Sequence, residues 1–155
     1  NSKESIVLLK TFGPDLIVSV AASQIFSKDV LSLPRFGCIN IHSGRLPKYR
    51  GMLPTFWQMY NREPCAIITV HVMSPTVDDG PVIMERPVYI KPEDTLDSLI
   101  RRTKRQGARM ILEVLSQFQA GQVEFKPMPR EGRSYYSFPE KQDVIVFKRM
   151  GRRLI

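Results

Sequence analysis

Leu16 to Ala21 is an apolar run set off by Gly13-Pro14-Asp15, and it limits the folds open to this chain more than any other stretch. Such a run is the pattern of a parallel strand buried on both faces. A strand of that kind needs covering layers above and below it, so the expected class is α/β, with a mostly parallel sheet and flanking helices. The remaining elements fit that class. Ser5 to Phe12 reads as the last turns of a helix stopped by Gly13-Pro14. Ser27 is a suitable N-cap for a short helix over 28–33, ended by Pro34. Cys38 to His42 alternates as a short strand. Leu53 to Tyr60 reads as a helix with Pro54 in its first turn. Ala66 to Met73 and Val82 to Ile90 read as strands. Leu96, Leu99, Ile100, Ala108, Ile111, Leu112 and Leu115 fall largely at helical spacing, behind an acidic start at Glu93-Asp94 and ahead of a C-cap at Gly121. Gly107 lies inside that helix and weakens it by roughly 1 kcal/mol relative to Ala. After Gln122 the periodicity fades, although Val144, Val146 and Phe147 are placed to anchor one more short helix.

The residues able to do chemistry concentrate in two stretches. The first is Cys-Ile-Asn-Ile-His-Ser-Gly-Arg-Leu-Pro-Lys-Tyr-Arg-Gly, Cys38 to Gly51. On a strand, side chains two apart share a face, so Asn40 and His42 point the same way. The second is Val77-Asp78-Asp79-Gly80-Pro81, a carboxylate beside a Gly-Pro turn. Asn, His and Asp together make an acid/base set: the Asp raises and orients the imidazole, and the amide can donate to a developing oxyanion. From the residues alone, two readings stand for each. Asn40 and His42 are a site or a satisfied pair at a strand end, and Asp78 is a catalytic group or a turn cap. His71 alternates into its strand and reads as structural. Trp57, Met73 and Met84 read as core packing. Arg45, Lys48 and Arg50 are a loop cluster that meets either a substrate anion or only solvent.

These two stretches together resemble the formyltransferase family that uses 10-formyltetrahydrofolate. Its pattern is Asn-x-His-x-x-x-Leu-Pro followed roughly three dozen residues later by Asp-x-Gly. Asn40, His42, Leu46-Pro47 and Asp78-x-Gly80 match it, and the likeness runs from about Pro14 to about Gly121. Family members usually carry an apolar residue where Arg45 stands. The resemblance implies a Rossmann-like fold, here lacking the strand and glycine-rich loop with which the family's domain begins. It divides the chain into 1–121, the C-terminal portion of a catalytic domain, and 122–155, a basic extension that packs back on it. It implies formyl transfer from 10-formyltetrahydrofolate to a primary amine, with Asn40, His42 and Asp78 catalytic and His42 held as an imidazolium by Asp78. It implies folate contacts from Ser23, Gln24, Ile25, Gly44, Arg45, Leu46, Pro47, Val77 and Gly80, and no metal. The acceptor expected from it is methionyl-tRNA, with an amino sugar or a purine precursor as alternatives. A non-catalytic folate- or RNA-binding remnant is the rival from outside the enzymes.

Composition adds bounds. With 155 residues, 43% of them hydrophobic and 25% charged, the chain is long enough for one soluble domain with a core. No apolar run is long enough to cross a membrane and no signal peptide is visible, so a cytoplasmic location is expected. The first residue is Asn1 rather than Met, which reads as a fragment. An exposed sheet edge in such a piece invites pairing with a second copy. Cys38 and Cys65 both lie in apolar strand contexts, which suits reduced thiols, and neither has metal-ligand spacing. Charge is uneven. Residues 1–100 hold 10 Lys/Arg and 10 Asp/Glu, whereas residues 101–155 hold 13 and 5. That excess is either a solvated helix face with a basic tail or a surface for a polyanion such as RNA.

Overall fold

A four-stranded sheet organises the computed structural model, which describes residues 1–155. Its strands are β1 (Ile17–Val20), β2 (Cys38–His42), β4 (Cys65–Val72) and β5 (Val82–Tyr89), in the spatial order β1-β2-β4-β5. Two further strands, β3 (Arg50–Gly51) and β6 (Tyr135–Tyr136), pair with each other in a separate ribbon. The helices are α1 (Lys3–Phe12), α2 (Lys28–Leu31), α3 (Pro54–Tyr60), α4 (Leu96–Ala120) and α5 (Lys141–Arg149). The class is therefore α/β with flanking helices. The expected mostly parallel sheet is in fact mixed. β1 and β2 are parallel, with Ser19 level with Asn40, but β4 is antiparallel to both β2 and β5. Residues 73–81 alone join β4 to β5, fewer than the dozen or so that a parallel crossover requires.

β1 exists where the apolar run places it, but it is not buried on both faces. It ends the sheet with β2 as its only neighbour, and Val20 is 66% exposed. The core sits instead on one face of β2 and β4, beneath α4. Leu99, Met110 and Val114 of α4 pack there with Ile39, Ile68 and Val70. Thr95 and Ser98 start α4 with a reciprocal capping box: the Ser98 amide donates to the Thr95 hydroxyl at 3.1 Å, and the Thr95 amide to the Ser98 hydroxyl at 3.0 Å. Gly107 allows the close approach, since a Cβ there would collide with Ile41. The propensity cost of that glycine is thus set against helix-sheet packing.

The chain beyond α4 returns to this core. Phe147 of α5 is fully buried and stacks on Phe56 at 4.6 Å between centroids. The Trp57 indole donates to the Ser137 carbonyl at 3.0 Å, and the last residues meet the start of α4 through Leu96 N–H to Arg153 O, 2.8 Å. Two of the five cations on α4 are paired within the helix and its approach: Arg101 with Asp97 at 2.9 Å, and Arg102 with Asp94. Both cysteines are free thiols. No helix is long and apolar enough to cross a membrane.

Candidate active site

The two faces of β2 divide the labour. Ile39 and Ile41 lie on the α4 side, so Asn40 and His42 project from the opposite face. The antiparallel register with β4 sets His71 directly across from Asn40 and Thr69 across from His42. Asn40 Nδ2 lies 3.3 Å from His71 Nε2. His71 is 2% exposed, and its Nδ1–H donates to the Val72 carbonyl at 2.9 Å. Its Nε2 faces both the Asn40 amide and, 3.6 Å away, Asp78 Oδ1. His71 therefore stands inside the cluster, against the expectation of a merely structural role. Its signal is not in its own neighbours along the chain but in the β2–β4 pairing, which only the fold supplies.

His42 is 6% exposed. Its Nε2–H donates to the Tyr49 carbonyl at 2.6 Å. Gly44 makes room for that bond, since a Cβ there would lie 2.8 Å from both His42 Nε2 and Tyr49 O. The other ring nitrogen, Nδ1, faces Asp78 Oδ2 at 3.6 Å. Burial pushes the His42 pKa below its ordinary value, and the Asp78 charge opposes this without overcoming it. The expected imidazolium is thus corrected to a neutral ring at neutral pH, because a carboxylate 3.6 Å away does not repay the loss of water around a charge. With Nε2–H committed to Tyr49, the lone pair of that ring is on Nδ1, on the Asp78 side.

Asp78 comes from the 73–81 loop. The residue has φ 51°, in the left-handed region, a conformation that costs about 1–3 kcal/mol unless its surroundings impose it. Here they do. The Gly51 amide donates to Asp78 Oδ2 at 2.9 Å. The Arg50 guanidinium donates twice to the Val77 carbonyl, at 3.0 and 2.6 Å. Gly80 lies so close to the Val72 carbonyl that no Cβ fits. Asp78 consequently straddles both rings, Oδ2 towards His42 and Oδ1 3.6 Å from His71 Nε2. Burial works to raise its pKa, but the neighbouring His71 and His42 rings and the Gly51 amide together hold it below the ordinary carboxylate value. It is ionised at neutral pH.

The other residues expected to meet a ligand divide into two groups. Ser23, Gln24 and Ile25 are exposed on the loop that follows β1, and Arg45 is exposed beyond β2. Leu46 and Pro47, joined by a cis peptide, are buried, as are Gly44 and Gly80; Val77 is half-buried with its carbonyl gripped by Arg50. These five shape the loops. Lys48 pairs with Glu63 at 2.6 Å, so of the three loop cations only Arg45 has a side chain with neither an ion pair nor a hydrogen bond. Beside Asn40 in register, the Ser19 hydroxyl is buried without a partner.

Chemically, the cluster joins an amide donor, a carboxylate and two imidazoles on one sheet face. Asn40 has two amide hydrogens. One is directed to His71 and the other remains for an oxygen that gains charge. Asp78 and His42 Nδ1 together can take up a proton and release it.

Comparison with known proteins bears on this arrangement. The family model described as "Formyl transferase" matches residues 1–115. Methionyl-tRNA formyltransferase of Thermotoga sp. (strain RQ2) is 35% identical over 146 residues, which are 94% of this chain and 47% of that protein. The enzyme of the same name from Agathobacter rectalis is 35% identical over 138 residues, 89% and 44% of the two chains. The chain thus spans about half the length of the curated relatives it matches. Among solved structures, the formyltransferase PseJ from Anoxybacillus kamchatkensis, in complex with UDP-4,6-dideoxy-4-formamido-L-AltNAc and tetrahydrofolate, superposes with a TM-score of 0.74 and 26% identity, covering 84% of this chain and 68% of that one. HypX from Aquifex aeolicus shares the fold, with a TM-score of 0.78 at 20% identity over 90% of this chain and 24% of its own.

Proposed function

The chain belongs to the formyl transferase family, and on that premise we propose that it moves a formyl group from 10-formyltetrahydrofolate to a primary amine, methionyl-tRNA being the acceptor. The single observation that carries this reading is the convergence of Asn40, His42 and His71, from two strands, with Asp78 from a loop. The amine nitrogen attacks the formyl carbon. A carbon–nitrogen bond forms, and the carbonyl oxygen becomes an oxyanion that takes the free N–H of Asn40. The attacking nitrogen gives a proton to the Asp78–His42 pair, entering at Asp78 or at His42 Nδ1. The bond from carbon to the folate nitrogen then breaks, and the same proton goes to that nitrogen. The products are an N-formyl amine and tetrahydrofolate, with no net proton change. His71 orients Asn40 and Asp78 without touching substrate. The orphaned Ser19 hydroxyl beside Asn40 is a further polar group available to a bound ligand.

The tRNA acceptor is supported by the two methionyl-tRNA formyltransferases at 35% identity. An amino-sugar acceptor is the second reading, supported by PseJ and the nucleotide-linked formamido sugar in its complex. The test is the full-length protein with 10-formyltetrahydrofolate and, in parallel, methionyl-tRNA or a nucleotide-linked amino sugar. Tetrahydrofolate release is followed by absorbance, and the formylated product by mass. Formylmethionyl-tRNA is the expected product. Tetrahydrofolate release only with the sugar moves the acceptor to the second reading, and release with neither ends the transferase reading.

A further inference from the structure

Asp78 is held by groups that belong to a part of the chain far from it in sequence. Its Oδ2 accepts from the Gly51 amide, and Gly51 lies on β3, whose only partner strand is β6. The ribbon is closed by Met52 N–H to Tyr136 O at 2.8 Å, Arg50 N–H to Ser134 O at 3.3 Å and Ser134 N–H to Pro47 O at 3.2 Å. Two residues upstream of β6, the Arg133 guanidinium meets the carboxylate of Asp79, the residue next to Asp78. Residues 133–136 therefore grip the carboxylate loop twice, once by backbone through β3 and once by charge. They lie outside the 1–115 region common to the family model.

We propose that Arg133 is a positioning residue: by holding the Asp79 carboxylate it fixes the turn that aims Asp78 at His42 and His71. The physical need is specific to this loop. Asp78 occupies a left-handed conformation, which Asp tolerates better than most L-residues but which still lies above the right-handed one in energy, so restraint on both sides fixes it. The Gly51 amide holds one oxygen of the Asp78 carboxylate, but a group that exchanges a proton cannot carry the whole restraint. Arg50 anchors the preceding residue through the Val77 carbonyl. Arg133 anchors the following one through the Asp79 side chain. The turn is thus pinned on both sides, with Asp78 between. The pair is partly exposed, so its contribution to global stability is small. Its effect is on aim.

The inference rests on the formyl-transfer reading for its kinetic arm only. In the full-length protein, Arg133→Gln is expected to lower kcat about 10²-fold, the size of loss typical when a reacting group moves by about 1 Å. The KM values for folate and amine are expected to stay within about twofold. Arg133→Lys, which keeps the charge, recovers most of the rate, and Arg130→Gln, in the same exposed segment, changes nothing. The double variant Arg133→Gln/Asp79→Asn is no slower than either single variant, since both remove one interaction. In the ligand-free protein, the imidazole NMR signals of His42 and His71 move in Arg133→Gln and stay fixed in Arg130→Gln. Should Arg133→Gln fold poorly, Asp79→Asn, nearly isosteric, carries the same readouts. Unmoved ring signals, or a full kcat in a folded variant, overturn the proposal. If the wild-type protein transfers no formyl group, the ring signals alone decide it, so the two readings fail separately.

Discussion

Replacing Gly44 by Ala separates a packing role from a ligand-binding role at one atom. The added Cβ would lie 2.7 Å from Pro54 Cβ, 2.8 Å from His42 Nε2 and 2.8 Å from the Tyr49 carbonyl oxygen. Two of these three neighbours, a proline ring and a main-chain carbonyl, yield little. The imidazole is the group that gives way, and its 2.6 Å bond to Tyr49 is lost. Overpacking costs about 1–3 kcal/mol, and the lost bond about 0.5–1.5 kcal/mol, so the variant is expected to be less stable by roughly 2–4 kcal/mol. For a domain of this length that lowers Tm by roughly 5–15 °C. The displaced ring also turns Nδ1 away from Asp78, and kcat is expected to fall about 10²-fold, with the folate KM little changed. Urea unfolding monitored by circular dichroism and steady-state formyl transfer measure the two effects. A Gly44→Ala protein with wild-type Tm and a raised folate KM would show that Gly44 serves close approach of the ligand, and the packing explanation would be refuted.

Asn40→Ala removes the donor aimed at the oxyanion, and its kcat is expected to fall about 10²- to 10³-fold with the fold intact; an unchanged kcat takes Asn40 out of the scheme. Acid stability follows from the signs at His42 and Asp78. Both have folded pKa values below their ordinary 6.5 and 3.8, so each contributes stability that is present above its unfolded value and lost as pH falls through its folded one. Glu63 and Asp94 are also lowered and act in the same direction. Unfolding midpoints measured from pH 8 to pH 3 should therefore be flat above about pH 7 and fall steadily below about 6.5; a maximum near pH 5 would contradict the assignments. Phe147→Ala empties a fully buried position stacked on Phe56 and is expected to cost about 3–5 kcal/mol; a change below 1 kcal/mol in denaturant unfolding would show that α5 is not part of the cooperative unit.

Element positions were legible where local signals agree. α4 carries its periodicity, its acidic start and its terminal glycine within one stretch of sequence, and it spans Leu96–Ala120 between those signals. α3 starts at Pro54 for the same kind of reason. The Asn-x-His and Asp-x-Gly pattern likewise pointed to three of the four residues that cluster. Three matters were not legible. His71 has no pattern of its own, because its meaning comes from a partner 31 residues away across a ladder. The lowered pKa of His42 has no local signature, because a neighbouring Asp is visible in sequence while the depth of burial that outweighs it is not. Leu46 and Pro47 match a motif, yet their side chains are buried.

What the chain determined by itself is the alternation that sends Asn40 and His42 to one face and Ile39 and Ile41 to the other, together with the helix able to cover the apolar side. Those follow from periodicity and capping, which act within a few residues. What only the tertiary structure decided is the direction of each strand, the depth of each titratable group and the company each side chain keeps. The antiparallel return of β4 brings His71 to Asn40, and the folded-back 73–81 loop, held by β3 and Arg133, carries Asp78 over both rings. These are long-range contacts, and their energies depend on distance and exclusion of water rather than on sequence neighbours.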